Sequence, residues 1–353
     1  MKTKAVELEP ATVQLQDPEP KAKWTDYQDS GLERFIGELY LCHVLFALAE
    51  SGVLARLRAT EAVPESRLVA EVNRHFALHL LRYLEVEGIV EKIEAGWRLT
   101  AWGRRLTGDV AMAQLGFYIE AYGPVMSRMP GLLKGTLRYG RDVRRDGKAL
   151  GRHCTTLNRT FFTPIISRIL TEAGATAVLD LGCGAGTLLI DLARADPKLE
   201  AIGLDSAPDA VAYAVDQVEA AGLSDRIAIV KADAFEPQTW PERCREVDAV
   251  TAIGVMHERL REGDGAVVSL LDAYARLLGP RLVTFVLGEP ELYYDARDND
   301  SEMYLAHIFT EQGIPRRREL WLELFAASAL RCRRVFDRPG AGPRLVFFDL
   351  VAR

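Results

Sequence analysis

The stretch Ala177-Val178-Leu179-Asp180-Leu181-Gly182-Cys183-Gly184-Ala185-Gly186-Thr187 decides the fold. An apolar run ends in an acid, breaks into alternate glycines and resumes over 188–193 at helical spacing, which predicts a strand, a tight turn and a helix start. Glycines at such a turn let the backbone approach a ligand, because no Cβ intervenes and φ is free to be positive. The gap fits a nucleotide-like cofactor. Two further apolar runs also end in acids. Ala201-Ile202-Gly203-Leu204-Asp205 puts Asp205 where a doubly wound sheet hydrogen-bonds ribose hydroxyls, and 227–230 leads into Ala232-Asp233-Ala234-Phe235, an acid beside an aromatic. A dinucleotide fold favours Gly-x-Gly-x-x-Gly with a helix dipole aimed at pyrophosphate. Asp-x-Gly-x-Gly-x-Gly among acids repels phosphate and favours a cation.

These residues together resemble the class I S-adenosylmethionine-dependent methyltransferases. The resemblance implies that Asp180, Gly182, Gly184 and Gly186 flank the methionine part of the cofactor, that Asp205 takes the ribose hydroxyls, and that Asp233, Ala234 and Phe235 meet the adenine. The plainer alternative is an α/β sheet with an incidental glycine-rich turn, and the acids at three strand ends argue against it.

A chain of 353 residues with 48% apolar composition has enough material for more than one core. No apolar run reaches the roughly 20 residues of a membrane span, and Met1-Lys2-Thr3-Lys4 leads into no apolar signal segment, so a cytoplasmic protein with no membrane partner is expected. Cys42, Cys154, Cys183, Cys244 and Cys332 lie far apart with no Cys-x-x-Cys pair, which indicates neither a disulfide framework nor a structural zinc site. The formal charge of −6 gives no electrostatic reason to expect nucleic acid.

Four regions are expected. Residues 1–26, rich in Pro, Glu, Lys and Gln, read as a mobile tail. Residues 27–108 begin with a helix whose apolar positions, Leu32, Phe35, Ile36, Leu39, Tyr40, His43, Val44 and Phe46 among them, cover more than one face, so a partner subunit is a natural second cover. Two more helices, 68–76 and 78–87, precede short alternating strands at 88–93 and 97–100. Helices followed by a hairpin suggest a winged helix. The segment is similar to the N-terminal dimerisation domain of small-molecule methyltransferases of the plant O-methyltransferase type, which implies a homodimer. A DNA-binding winged helix is the non-enzymatic alternative, but 78–87 sets Glu85 and Glu87 against Arg82, where a DNA reader is basic. Residues 109–172 form a helical connector that, by the same resemblance, lines the acceptor pocket, with Arg141 a candidate clamp for a substrate carboxylate. Residues 173–353 form the Rossmann-like α/β methyltransferase domain, with a seven-stranded sheet whose fourth strand is 247–253, whose fifth is 281–286, and which closes with the pair 330–336 and 345–351.

Residues after the fourth strand face the transferred group in such a sheet. They are Gly254-Val255-Met256-His257-Glu258-Arg259. In the O-methyltransferases this place carries His-Asp-Trp, with the His as general base on a phenol. Here His257 matches, Glu258 replaces Asp and Arg259 replaces Trp. A second histidine, His307, follows the fifth strand on a predicted helix. Two imidazoles and a carboxylate are a set that binds a non-haem transition metal with open positions. The trio His257, Glu258 and His307 resembles the metal site of the 2-oxo acid C-methyltransferases of peptide-antibiotic pathways, those acting on phenylpyruvate and 2-ketoarginine, which implies iron or zinc. Neighbouring ligands diverge by about 100° on a regular helix, so all three can share one metal only if the backbone is irregular there. A ketone's β-carbon is not nucleophilic until it loses a proton, and a chelated cation stabilises the resulting enolate. The expected function is therefore C-methylation of a 2-oxo acid, with 2-ketoarginine the leading guess; Asp295, Asp298, Asp300 and Glu302 would suit a guanidinium, although a charge run of this kind reads first as a solvated loop. O-methylation with His257 as base is the alternative.

Overall fold

In a computed structural model of the chain, residues 13–15, 17–292, 301–340, 342 and 344–353 are described. Two compact units result, Met1–Arg104 and Arg105–Arg353.

In the first unit, Pro18–Asp29 is a helix within the stretch expected to be a tail. Proline in its first turn is preset for helical φ, and Lys23 pairs with Glu19 one turn away at 2.7 Å. It buries no residue. The helix Leu32–Glu50 buries only Leu45 and Leu48, while Leu32, Phe35, Ile36, Leu39 and Tyr40 remain 42–65% exposed along one side. Where two helices were predicted, the longer one is Arg74–Val86 and residues 69–73 are not helical. Glu71 takes a positive φ of 64°, and the Asn73 side chain accepts from Phe76 N, which starts the helix there. The hairpin Val90–Ile93 and Gly96–Leu99 follows as expected, pairing Val90 with Leu99.

The second unit is built on seven strands: β1 (Ala177–Leu181), β2 (Glu200–Asp205), β3 (Ile227–Lys231), β4 (Ala249–Ile253), β5 (Thr284–Pro290), β6 (Leu330–Phe336) and β7 (Leu345–Ala352). Their order in the sheet is 3-2-1-4-5-7-6, all parallel except β7, which runs antiparallel to both β5 and β6. Both faces are covered. Leu179 and Leu181 pack into a cluster with Val250, Phe285 and Trp321, whereas Val178 belongs to an opposite cluster with Ile166, Ile169 and Leu189. That is why β1 reads as a continuous apolar run. The chain leaves β1 in one direction and β4 returns on its other side, so the strand order reverses between them. Ligands of open α/β sheets bind beyond the carboxyl ends of the strands at such a point. Strand β5, expected to stop near 286, runs on to Pro290, and every residue of it is buried. Among the described residues no single helix is long and apolar enough to cross a membrane, and all five cysteines are free thiols.

Candidate active site

A cavity of about 1200 Å³ opens beyond the carboxyl ends of β1, β2 and β4 within the second unit. One drug-sized ligand occupies roughly 300–1000 Å³. The volume therefore suits a cofactor and a small acceptor together.

One half gathers the residues expected around the cofactor. Gly182 has φ +71°, and a Cβ there would stand 2.6 Å from Val255 Cγ2; Gly184 has φ +53° and opens on the cavity. Asp205 holds this turn from the end of β2, its carboxylate accepting from Gly184 N at 3.0 Å and Ala207 N at 2.9 Å. Asp180 is buried at the end of β1, level with Thr251 on β4, and accepts from its hydroxyl at 2.6 Å. Burial, only partly offset by that hydrogen bond and reinforced by the charge of Asp205, pushes the Asp180 carboxyl up to about 7. Trp240 Nε1 donates to Asp233 O and Tyr274 Oη to Ala234 O, both at 2.7 Å, so the segment that presents Phe235 is fixed from below. Gly186, Asp233 and Phe235 complete the predicted set, and the last two line the cavity. Arg259, standing where Trp was expected, lays its guanidinium 5.9 Å from the Phe235 ring centroid. An open turn ringed by acids fits a cationic nucleoside such as S-adenosylmethionine.

The other half holds the histidines. Beyond β4 the chain makes a 3₁₀ turn, Met256–Glu262, on which His257 is buried. Its Nδ1 lies 2.6 Å from Glu289 Oε2, and Glu289 Oε1 accepts from the backbone N–H of Met256 at 2.7 Å and of His257 at 3.4 Å. A carboxylate only accepts, so Nδ1 carries a hydrogen, and Nε2 is the nitrogen turned to the rest of the site. His307, buried on the helix Ser301–Phe309, donates from Nδ1 to Met303 O at 2.7 Å. The two Nε2 atoms face each other at 3.1 Å. Burial, and then the neighbouring His257, lower His307 to about 3, so it is neutral. The lone pair of His307 Nε2 is satisfied by a hydrogen on His257 Nε2 or by a cation that both rings address. Gly313 keeps the segments together, since a Cβ there would stand 1.8 Å from His257 O.

Two expectations change, and a third falls mostly outside the described residues. Glu258 does not join the histidines. On a 3₁₀ turn neighbouring side chains diverge by about 120°, and Glu258 points instead toward Arg145, at 3.7 Å. Among the described residues no group of three His, Cys, Asp or Glu is placed to share a metal, so the expected trio reduces to a histidine pair. Arg141 is exposed and pairs with Asp142 at 2.7 Å, outside the cavity lining. Four residues later, Arg145 lines the cavity and donates to Tyr122 Oη at 3.1 Å, and the Gln312 amide, oriented with its oxygen toward the guanidinium, accepts from it. Asp295, Asp298 and Asp300 lie outside the described residues, and Glu302 is exposed. Glu289 and Arg145 were not singled out from the sequence. The available signal for Glu289 was a lone acid closing an otherwise apolar strand; for Arg145 there was none, since arginines are frequent throughout 138–145.

Residues 178–281 match a methyltransferase domain family. Over 331 residues the chain is 27% identical to 2-ketoarginine methyltransferase of Streptomyces arginensis, covering 86% of this chain and 88% of that protein. It is 30% identical over 138 residues to methyltransferase ungE' of Aspergillus campestris, which is 38% of this chain, and the chain spans 40% of that relative's length. Among solved structures, human N-acetylserotonin methyltransferase in complex with S-adenosylmethionine shares the fold with a TM-score of 0.66 at 15% identity, over 97% of this chain and 99% of that one. The acid-ringed glycine turn, the strand order and these likenesses agree: the chain belongs to the class I S-adenosylmethionine-dependent methyltransferases.

Proposed function

We propose that the enzyme transfers the methyl group of S-adenosylmethionine to the β-carbon of a 2-oxo acid, leaving S-adenosylhomocysteine, and that 2-ketoarginine, 5-guanidino-2-oxopentanoate, is the first acceptor to test. The observation that carries this reading is the pair of Nε2 atoms 3.1 Å apart, each on a ring whose Nδ1 is already committed. A lone base acting on a phenol needs its accepting nitrogen open to the hydroxyl, whereas that of His257 is capped by His307. Two imidazoles whose Nε2 atoms converge supply two of the donors that iron or zinc takes, and the Glu289 carboxylate behind His257 is the partner that fixes such a ligand's orientation. When bound, the ion would supply Lewis-acid stabilisation of the negative charge that develops as the acceptor loses its β-proton to solvent.

The chain's own residues bind and orient. Arg145, braced by Tyr122 and Gln312, offers a planar fork for the acceptor carboxylate. Among the described residues the cavity lining also carries Asp146 and Glu258, carboxylates suited to a guanidinium tail. The glycine turn and Asp205 hold the donor so that its methyl group and the acceptor meet as an intramolecular pair. The exposed apolar side of Leu32–Glu50 supports a homodimer formed through the first unit, since a contiguous apolar strip on a free surface is unusual.

A second reading, O-methylation with His257 as general base, is favoured by the 2.6 Å contact with Glu289, which orients the ring as a base requires. One experiment separates the two. Metal content is measured in the purified protein, and labelled donor is offered with a panel of 2-oxo acids and phenols to the wild type and to His307→Gln. The C-methylation reading requires transfer to a 2-oxo acid, with metal and turnover both lost in the variant. Transfer to a phenol that survives chelation and the substitution would establish the second reading instead.

A further inference from the structure

The acceptor half of the cavity is walled in part by a π-helical turn that is pinned from behind. The helix Asp109–Gly116 continues into the turn Phe117–Ala121, closed by Tyr122 N donating to Phe117 O at 3.2 Å. A π turn contains an additional residue, and such turns concentrate at functional sites. On a regular α-helix positions five apart point about 140° away from each other. Here the rings of Phe117 and Tyr122 meet tilted at 40°, with centroids 4.9 Å apart, and Tyr118 meets Phe117 edge-on at 5.1 Å. All three rings line the cavity. Tyr122 also receives the hydrogen bond from Arg145, and the cluster packs on Ala306, next to His307.

Behind the rings, Glu120 accepts from His153 Nε2 at 2.6 Å and from Arg152, both on the helix Gly147–Leu157. Burial pushes the Glu120 carboxyl up, but the bonds from His153 and Arg152 outweigh it and hold the group below the usual carboxylate range. The His153 ring lies against Gly116 so closely that a Cβ there would stand 2.1 Å from Cε1. Gly116, Glu120 and His153 themselves are absent from the cavity lining. They touch the turn and not its contents.

We propose that Gly116, Glu120 and His153 form a lock that keeps the π turn in register and so positions Phe117, Tyr118 and Tyr122, and through Tyr122 the guanidinium of Arg145, for the acceptor. They are positioning residues, and the proposal rests on assigning this half of the cavity to the acceptor. Releasing the lock frees the turn to relax toward α-helical bonding, which rotates Tyr122 away from Phe117. Gly→Ala within a helix ordinarily stabilises it; at 116 the methyl group would displace His153, so the sign of that substitution reverses.

The test uses the full chain with Glu120→Ala, His153→Leu, Gly116→Ala and the conservative Glu120→Gln, which retains an oxygen for His153. Three quantities are measured: hydrogen exchange of amides 117–122, the dissociation constant for S-adenosylmethionine by calorimetry, and KM and kcat for whichever acceptor the wild type methylates. Loss of a hydrogen bond to a charged group predicts that the first three variants raise exchange over 117–122 and acceptor KM by about tenfold or more, with kcat and donor affinity within about twofold and Glu120→Gln largely restored. Unchanged exchange at 117–122 overturns the lock whatever the acceptor proves to be. Parallel weakening of donor and acceptor binding overturns it too, since that is general loosening. Failure to methylate any 2-oxo acid would reject the proposed reaction without touching the exchange result, so the two claims fail separately.

Discussion

Replacing Glu289 with Gln exchanges one oxygen for an amide nitrogen at the end of β5 and leaves the volume unchanged. Three donors converge on that carboxylate, Met256 N at 2.7 Å, His257 N at 3.4 Å and His257 Nδ1 at 2.6 Å, in a site with no exposure. The amide has one oxygen to share. If it stays with the backbone, the NH₂ group faces Nδ1, and His257 must shift its hydrogen to Nε2, aimed at His307. If it turns to Nδ1, the NH₂ group confronts two backbone N–H donors. Either way a buried charge-assisted hydrogen bond is lost, roughly 1.5–3 kcal/mol. At about 1.4 kcal/mol per decade that is a fall in kcat/KM of roughly 10- to 100-fold, the range found for outer-shell partners of metal-ligating histidines. The assay measures kcat/KM with labelled donor, the donor dissociation constant by calorimetry, and metal per chain by mass spectrometry. On the proposed metal reading, turnover and metal content should fall together while donor affinity holds, because Glu289 lies outside the cofactor half. A variant that keeps its metal and turns over within about threefold of the wild type, well under 1 kcal/mol, would refute the reasoning from tautomer to function.

The remaining predictions address other parts of the cavity and the first unit. Asp180 titrates at about 7 in the fold against an ordinary 3.8, so its contribution to stability is fully present below pH 4 and is lost as pH rises to 7. Asp180→Asn should therefore make the ligand-free protein more stable at about pH 8 by up to roughly 4 kcal/mol, with little change at about pH 4, as read by denaturant unfolding. A sulfonium beside Asp180 favours its ionised form, so wild-type donor affinity should climb through neutrality and the Asn variant should show a flat profile in calorimetry. Arg145→Lys keeps the charge and loses the fork, and acceptor KM should rise about 10-fold or more with donor affinity unchanged; Arg141→Met, at a surface ion pair, should change it by under about twofold. Phe35→Glu combined with Leu39→Glu puts two charges on the exposed apolar strip and should halve the mass seen by light scattering, and a species of unchanged mass would reject that strip as the subunit contact.

What was legible in the chain was whatever neighbouring residues encode. Apolar runs closed by Asp180 and Asp205 announced β1 and β2, and alternate glycines announced the turn between β1 and its helix, because run length and turn chemistry are short-range properties. His257 and His307 stood out as rare residues after successive strands. The misreadings are equally local. Residues 69–73 carry a helical pattern, but the cap at Asn73 and the left-handed Glu71 placed the start later. Strand β5 looked finished near 286 because Gly288 and Glu289 break an apolar pattern, although they are paired with β7 and buried.

Which side chains keep company with the histidines could not be read from the order of residues. Glu289 lies 32 positions from His257, and His307 lies 50. Contact over such separations follows from strand register and from how helices lie across strand ends, and neither is a property of any short window. Glu258, adjacent to His257 in the chain, is turned toward Arg145 by the pitch of a single helical turn, while a strand carries Glu289 behind His257 and a loop carries Arg145 to the cavity.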